Sequence, residues 1–256
     1  MPDDILYPRR SKTETVLLKN MDRAIWDYDM LEENDKIVVG ISGGIDSLAL
    51  LNLLHIYPEA SFGFFINLFP VYIDLGFGNN SIEELASYIC KLGLDLKIIK
   101  TDISTKIYDK DTRQNPCYKC ARLRKKVIFE YAVSIGCFKV ALGHNRDDFL
   151  DTFLMNMIYC GELATMKPKQ DFFKGYMTII RPMLYLDKKL IMKYSSEKEY
   201  PFFTNNCPES VISKRIKIKN AARELFEISP SAKRNMLKAL QRPNIEYLLN
   251  TGLKRK

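Results

Sequence analysis

The sequence has no apolar run long enough to cross a membrane, and no apolar h-region follows its first residues. Its most apolar stretch, 62–77, is interrupted by Asn67, Pro70 and Asp74. A spanning helix needs about 20 consecutive apolar residues. We therefore expect neither secretion nor membrane insertion, and we expect a cytoplasmic location.

Repeats and low-complexity tracts are also missing, and only 12 of the 256 residues are glycine and 11 are proline. Together with a hydrophobic fraction of 46%, this composition excludes a disordered or collagen-like chain. A chain of this length can bury one good core, so we predict one large domain with an appendage. The six cysteines are not a disulfide framework in a cytoplasmic chain, which favours metal or sulfur chemistry.

The net charge of +8 is unevenly distributed along the chain. Residues 188–256 contain 16 Lys and Arg against 6 Asp and Glu, a net of +10, which leaves −2 for the preceding residues. Localised positive charge is typical of proteins that bind polyanions, although a solvated lysine face is the ordinary alternative. A second basic cluster surrounds a cysteine pair and consists of Arg113, Lys119, Arg122, Arg124, Lys125 and Lys126.

Strand and helix patterns alternate after a first amphipathic helix at 17–28. This alternation predicts an α/β fold, a doubly wound parallel sheet with helices on both faces and right-handed crossovers. We predict a loop at 161–175, a mainly helical tail from 187, and three regions at 1–34, 35–186 and 187–256. The predicted strands are 36–41, 70–74, 94–100, 138–142 and 178–181, and the helices between them are 47–57, 82–92, 120–135 and 148–159.

A glycine turn stands between the first strand and its helix, with the sequence Ser42-Gly43-Gly44-Ile45-Asp46-Ser47. The glycines let backbone N–H groups approach an anion, and the following helix adds its free N–H groups and the positive end of its dipole. Both serines can donate hydroxyls, and Asp46 can help to hold Mg²⁺. An ordinary Gly-Gly turn with a serine helix cap is the alternative interpretation.

The turn has neither the Gly-Lys-Ser/Thr ending of a Walker A loop nor the spacing of a dinucleotide fingerprint. It resembles instead the SGGxDS pyrophosphate loop of the ATP pyrophosphatase superfamily, which implies ATP as a cofactor. Ligands of such a sheet bind outside the carboxyl ends of the strands. We therefore expect the glycine turn, Asp74 and the segment 143–148 to meet at one cleft.

Cys117 and Cys120 form a C-x-x-C pair in a predicted loop before a helix that starts at 121. The helix dipole stabilises thiolates at this position. The pair alone is compatible with a redox couple, half a zinc knuckle or part of an iron–sulfur site. Cys207, Cys160 and His144 are the candidate further ligands, whereas Cys90 and Cys137 have apolar neighbours and are predicted to be buried and inert.

His144 and the pair Asp147–Asp148 follow the predicted strand 138–142. A structural histidine and a helix-capping acid pair are one interpretation. The position at the carboxyl end of a strand makes a catalytic or magnesium-binding role equally plausible.

Several motifs together resemble the TtcA/TtuA family of tRNA thiolation enzymes, nearest to its cytidine 2-sulfurtransferase branch. They are Cys117-x-x-Cys120-Ala-Arg122-Leu-Arg124, the segment Gly143-His144-Asn145-Arg146-Asp147-Asp148, Asn156-Met157-Ile158-Tyr159, and Arg181-Pro182-x-Leu184-Tyr185. The resemblance implies that Cys117, Cys120 and Cys207 hold a [4Fe–4S] cluster whose open iron carries sulfur. It also assigns the phosphates to the glycine turn, the nucleotide to Asp74 and Gly143, and catalytic roles to Asp147, Arg124 and Asp46.

The activity implied by this resemblance is ATP-dependent tRNA thiolation. ATP and Mg²⁺ adenylate the C2 oxygen of a tRNA pyrimidine, with an anticodon-loop cytidine favoured, and sulfur delivered by the cluster replaces that oxygen. The implied partners are tRNA and a sulfide or persulfide donor such as a cysteine desulfurase, and a homodimer is left open. The alternatives are a PP-loop sulfurtransferase or amidase acting on another tRNA base or a small molecule, and a non-enzymatic nucleotide-binding module.

Overall fold

The structure is a computed structural model, and it describes residues 10–60, 65–78, 81–108, 115–201, 206–208 and 214–248. Arg113 of the central basic cluster lies outside the described residues. The chain forms two compact units: the first comprises Met1–Asn145 and Lys167–Ser213, and the second comprises Arg146–Met166 and Lys214–Lys256. Within the described residues, the helices are all too short or too polar to cross a membrane.

The first unit is built on a six-stranded sheet in the order β3-β2-β1-β4-β6-β5. Neighbouring strands pair in parallel except for β5, which is antiparallel to β6 at one edge. The α/β fold predicted from the sequence is thereby confirmed. The strands are β1 Asp35–Ile41, β2 Ile66–Asp74, β3 Lys97–Lys100, β4 Lys139–Leu142, β5 Lys169–Phe172 and β6 Met177–Ile180.

Nine α-helices are present in the described residues, and six of them belong to the first unit. These six are α1 Lys12–Asp27, α2 Ile45–Ala60, α3 Ile82–Lys91, α4 Ile103–Lys106, α5 Pro116–Ser134 and α7 Lys188–Glu197. The second unit contains α6 Arg146–Cys160, α8 Lys214–Glu227 and α9 Ala232–Gln241, followed by a 3-10 turn at Ile245–Tyr247.

Apolar side chains of α5 cover one face of the sheet. Ile128, Phe129 and Ala132 pack against strand residues that include Val38 and Val140. Elsewhere in this unit α1 packs on α7, where Lys198 Nζ lies 2.8 Å from Glu14 and Thr13 donates to Glu197. Burial of these apolar surfaces drives the first unit to fold.

Several predicted boundaries are wrong. Helix α1 begins at Lys12, five residues before its predicted start at 17, and strand β3 begins at Lys97, three residues after its predicted start at 94. Strand β2 begins at Ile66, four residues before its predicted start at Pro70, because its pairing with β1 continues through the proline (Val39↔Pro70). Proline has no N–H to donate to a neighbouring strand and is therefore common as the first residue of a strand, which is why the strand was predicted to start at Pro70. The predicted loop 161–175 contains β5, whose polar sequence Lys-Gln-Asp-Phe gives no apolar strand pattern and whose pairing with β6 is tertiary.

The second unit has its own small core between three helices. Leu154 of α6 packs with Ile218 and Ala222 of α8, and Met236 of α9 lies against them. The helical character predicted for the tail is confirmed for its described part. The predicted regions 1–34, 35–186 and 187–256 are consecutive stretches of sequence, whereas each of the two units combines separate stretches that pack together. The predicted limits therefore stay a prediction.

Candidate active site

The glycine turn joins β1 to α2 and is held by its two serines. Ser47, which is buried, donates from Oγ to the Gly44 carbonyl at 2.8 Å and accepts from the Ser42 N–H at 3.1 Å. Ser42 Oγ in turn accepts from the Gly44 N–H at 3.3 Å. The N–H groups of Ser47 and Leu48 donate to the Gly44 carbonyl at 3.0 and 3.3 Å. The N–H groups of α2 that precede them have no acceptor inside the helix, so the turn presents donors to an anion at the carboxyl edge of the sheet.

Two glycines are required by the backbone geometry at this edge. Gly43 has φ +81°, a left-handed conformation that side chains rarely adopt. A β-carbon on Gly143, which follows β4, would lie 2.8 Å from the Asp46 carbonyl oxygen and 3.1 Å from Ser47 Cα. Gly143 thus lets the turn after β4 pack against the glycine turn. Gly44 is less restricted, since its β-carbon would contact only Ser42 Oγ at 3.4 Å.

The Asp46 carboxylate is held from two directions. Asn145 Nδ2 donates to Oδ1 at 2.9 Å, and Lys188 Nζ donates to Oδ2 at 2.5 Å. Sequence reasoning did not single out either partner. Asn145 directly follows Gly143-His144, so the motif around it could have indicated a role in the site. Lys188 lies 142 positions from Asp46, and no sequence pattern near either residue predicts the contact. Any cation that binds Asp46 at Oδ2 must displace Lys188.

Asp74 ends β2, the strand beside β1. Its Oδ1 accepts from the Gly76 N–H at 2.9 Å, and its carbonyl oxygen accepts from the N–H and Oγ1 of Thr101 at 2.9 and 2.7 Å. The turn is therefore held by hydrogen bonds and lies at the same carboxyl edge as the glycine turn.

Cys117 and Cys120 lie in the first turn of α5, not in a loop as predicted. Pro116 fixes a helical φ at the first position, and Asn115 caps the helix by accepting from the N–H groups of Cys117 and Tyr118. Residues three apart share a helix face, so both thiols face one side of α5 at its positive end. Cys117 is exposed and Cys120 is half-buried.

Cys207 lies within electrostatic range of Cys120. Burial raises the pKa of the Cys120 thiol, the nearby Cys207 and Cys117 thiols raise it further, and the Arg124 guanidinium opposes them. These effects place three thiols and one cation in a common neighbourhood of the first unit. Cys160 is exposed on α6 in the second unit.

The other two cysteines, Cys137 and Cys90, differ in burial. Cys137 is buried, as predicted, and its thiol donates to the Lys36 carbonyl. Cys90 is exposed at the end of α3, so its predicted burial is wrong; the buried face of that helix is formed by Leu85 and Ile89.

The donor set fits an iron–sulfur cluster better than a single ion. In the part of the chain that the structure describes, no three His, Cys, Asp or Glu side chains form a group that could hold a metal ion. A single ion needs its ligands in one tight shell, whereas a four-iron cluster takes each thiolate at a different iron. Three neighbouring thiols on two separate segments match the second requirement.

Three acids on α6 face basic residues of the second unit's other helices. Asp147 is paired with Lys233 of α9, and Arg215 and Lys219 of α8 each lie 4.0 Å from Asp148 and Asp151 respectively. Asp151 was not singled out by sequence reasoning, although it follows Asp147 by one helical turn. Burial, reinforced by the neighbouring Asp148 and Asp147, raises its pKa to about 6.

His144 is half-buried directly after β4, and its N–H donates to the Leu142 carbonyl at 2.9 Å. The structure thus places it at the carboxyl edge, beside Gly143. A catalytic role for His144, Asp147 or Asp148 stays a prediction.

Comparisons with known proteins agree with this geometry. The PP-loop domain family matches residues 13–225. The tRNA-cytidine(32) 2-sulfurtransferase of Aeromonas salmonicida (strain A449) is 34% identical over 248 residues, covering 95% of this chain and 81% of its own. The enzyme of the same name from Syntrophotalea carbinolica is 34% identical over 236 residues, with 91% and 90% covered.

A solved structure has the same fold. The U34-tRNA thiolase NcsA from Methanococcus maripaludis, solved with its [4Fe–4S] cluster, superimposes with a TM-score of 0.72 at 22% identity. The match covers 94% of this chain and 84% of that protein.

Proposed function

The chain belongs to the PP-loop family, in the branch of the tRNA-cytidine(32) 2-sulfurtransferases, and from this premise we propose that it is an ATP-dependent tRNA sulfurtransferase. The resemblance that the motifs indicated is thereby confirmed. In the proposed reaction the C2 oxygen of a tRNA pyrimidine attacks the α-phosphate of ATP, and pyrophosphate leaves. Sulfur then replaces the adenylated oxygen, and AMP leaves.

One observation supports the proposal: the glycine turn that follows β1 and three neighbouring thiols belong to the same unit of the chain. An ATP-dependent ligase that adds an amine has use for the turn but none for the thiols. A sulfurtransferase has use for both parts, the glycine turn and the thiols of Cys117, Cys120 and Cys207.

For ATP, we propose that the pyrophosphate binds the N–H groups of Gly43, Gly44 and the start of α2, with the hydroxyls of Ser42 and Ser47 nearby. Asp74 and Gly143 border the nucleotide at the ends of β2 and β4. Lys188 Nζ donates to Asp46 at 2.5 Å. Because the lysine side chain is long and flexible, the phosphates of ATP can attract its ammonium group, and Mg²⁺ can then take its place at Asp46. The residues of the turn thereby orient the α-phosphate for attack.

For sulfur, we propose that Cys117, Cys120 and Cys207 hold a [4Fe–4S] cluster. When bound through three thiolates, such a cluster supplies an iron that is open to an exogenous sulfur. Loading requires the loss of the thiol protons, which burial of Cys120 opposes and Arg124 assists. Arg124 is exposed on α5 and can also stabilise the charge that develops on the base oxygen or the leaving phosphate.

The remaining assignments are Asp147 as the catalytic carboxylate and an anticodon-loop cytidine as the target. The basic residues of α8 support an RNA substrate, since phosphate contacts supply much of the affinity of such proteins. We propose further that a sulfide or persulfide donor, such as a cysteine desulfurase, supplies the sulfur. A cytoplasmic location completes the proposal.

The test is a defined reaction under nitrogen. Reconstituted protein is incubated with ATP, Mg²⁺, sulfide and unmodified tRNA, and the digested RNA is analysed by mass spectrometry. We expect 2-thiocytidine that depends on ATP. Thiolated uridine would contradict the cytidine assignment, and the lack of any thiolated nucleoside from protein that binds both ATP and iron would contradict tRNA as substrate.

A further inference from the structure

The segment that carries Cys207 is attached to the turn after β2. Asn206, the residue before Cys207, donates from Nδ2 to the Gly78 carbonyl oxygen at 2.6 Å. The two residues are 128 positions apart, so the bond joins distant parts of the chain. Consecutive Cα atoms are about 3.8 Å apart, so fixing Asn206 also restricts Cys207.

The turn that accepts this bond is itself held by hydrogen bonds. Ser104 donates from its N–H to the Leu75 carbonyl at 2.7 Å and from Oγ to the Gly76 carbonyl at 3.1 Å. Gly76 has φ +83°, and a β-carbon there would lie 2.8 Å from Ser104 Oγ. With the bond from the Gly76 N–H to Asp74 Oδ1, residues 74–76 are held by hydrogen bonds just before Gly78.

The same bond therefore connects the two halves of the proposed site. On one side lies Asp74, whose carboxylate shapes the turn next to the nucleotide. On the other side lies Cys207, which affects the Cys120 thiol electrostatically. A nucleotide that holds the turn in place therefore also holds, through Gly78 and Asn206, the segment that bears the third thiol.

We propose that Asn206 is a positioning residue that docks the Cys207 segment on the turn 74–78 and so couples nucleotide binding to cluster binding. This inference rests on the proposed function, because it needs both ligands to bind. Coupling between two ligands is reciprocal. ATP should therefore stabilise the bound cluster, and the loaded protein should bind ATP more tightly than the cluster-free protein.

The experiment uses the full chain, reconstituted without oxygen. Cluster stability is the rate at which a chelator bleaches the visible absorbance of the cluster, with and without ATP, and iron and acid-labile sulfide are measured alongside. ATP affinity is measured by calorimetry on loaded and cluster-free protein. In the wild type we expect ATP and cluster to stabilise each other at least about fivefold.

Asn206→Ala removes the bond and should bring this factor close to one, while the ATP affinity of the cluster-free variant stays at the wild-type value. Asn206→Asp keeps the shape but has no N–H to donate, so it should behave alike. Asn20→Ala and Asn20→Asp are matched controls, because Asn20 Nδ2 also donates to a backbone carbonyl, that of Val16 at 2.9 Å, but within α1.

An unchanged coupling factor in both Asn206 variants would overturn the inference, as would a wild type that binds ATP and cluster independently. A wild type that takes up no iron or binds no ATP would refute the proposed function itself, which is a separate result. Circular dichroism establishes that each variant is folded.

Discussion

The two units of the chain hold their acids in different ways. At the carboxyl edge of the sheet, Asp46 is fixed by backbone approach, through Gly143, and by two side chains, Asn145 and Lys188. In the second unit the acids Asp147, Asp148 and Asp151 form charge pairs with Lys233, Arg215 and Lys219.

The position of Asp46 in the first unit thus depends on steric fit, whereas the acids of the second unit depend on electrostatic pairing. Where a β-carbon would overlap a carbonyl oxygen, a substitution has an all-or-none effect that salt does not change. Where acids pair with lysines or an arginine whose charged ends reach solvent, effects are graded and depend on salt and pH. The proposed RNA contact on the second unit should therefore depend on salt, and the proposed ATP site of the first unit should depend on steric fit.

The largest expected effect is that of Gly143→Ala on ATP affinity. The new β-carbon would lie 2.8 Å from the Asp46 carbonyl oxygen, so the glycine turn must shift. We expect ATP binding, measured by calorimetry, to weaken by more than about 100-fold. Gly93→Ala is the control: it strains a backbone at φ +73° but meets nothing within 4 Å, so stability should fall and ATP affinity should not. Wild-type affinity in a folded Gly143→Ala protein would refute steric control.

The next effect concerns the thiols of the first unit. Cys117→Ala, Cys120→Ala and Cys207→Ala should each retain less than about a tenth of the iron and acid-labile sulfide after anaerobic reconstitution. Cys90→Ala and Cys160→Ala remove exposed thiols and should keep the wild-type content. Stoichiometric zinc without iron would contradict the cluster. Full iron content in Cys207→Ala would contradict Cys207 as the third ligand and favour Cys160 instead.

A smaller effect is expected for the basic residues of α8, where neutralising four of them should weaken tRNA binding several-fold. The slope of log affinity against log salt should fall by about one for each RNA phosphate that the variant no longer neutralises. ATP affinity should be unchanged, and filter binding at several salt concentrations measures the slope. The residues are Lys214, Arg215, Lys217 and Lys219, and four exposed lysines of the first unit, Lys12, Lys19, Lys91 and Lys97, serve as the charge-matched control. Equal weakening in both sets would contradict a dedicated RNA surface on α8.

The smallest effect is a pH-dependent change of stability at Asp151. Its folded pKa of about 6 exceeds its usual 3.8, so the folded state binds the proton more tightly and wild-type stability falls as the pH rises between these values. Asp151→Asn removes this cost. We expect the variant to be about 1–2 kcal/mol more stable near pH 8 and equal to the wild type near pH 4.

Urea unfolding followed by circular dichroism measures this difference. Asp27→Asn, at an exposed acid paired with Arg23, is the control and should change stability by less than about 0.5 kcal/mol at either pH. A destabilised Asp151→Asn at pH 8 would show that the pair with Lys219 outweighs the burial of the carboxylate.

Local patterns predicted much of this chain. The glycine turn, its strand and its helix are where the sequence placed them, because buried apolar runs and glycines are read over a few neighbouring residues. Strand β5 and the first half of β2 were missed, since a polar edge strand and a strand that contains Pro70 have no such local pattern. The C-x-x-C pair was recognised, but its place inside α5 depends on the cap that Asn115 provides.

The sequence by itself determined the chemistry available: a phosphate turn from Ser42 to Ser47, two thiols three residues apart, and a basic tail. Only the tertiary structure decided which groups meet. Lys188 reaches Asp46 across 142 positions, and Asn206 reaches Gly78 across 128. Such contacts follow from strand order and crossover geometry, which bring the carboxyl ends of distant strands to one edge. Spacing within a segment carries no information about them, because side-chain periodicity describes a single element and not its neighbours in space.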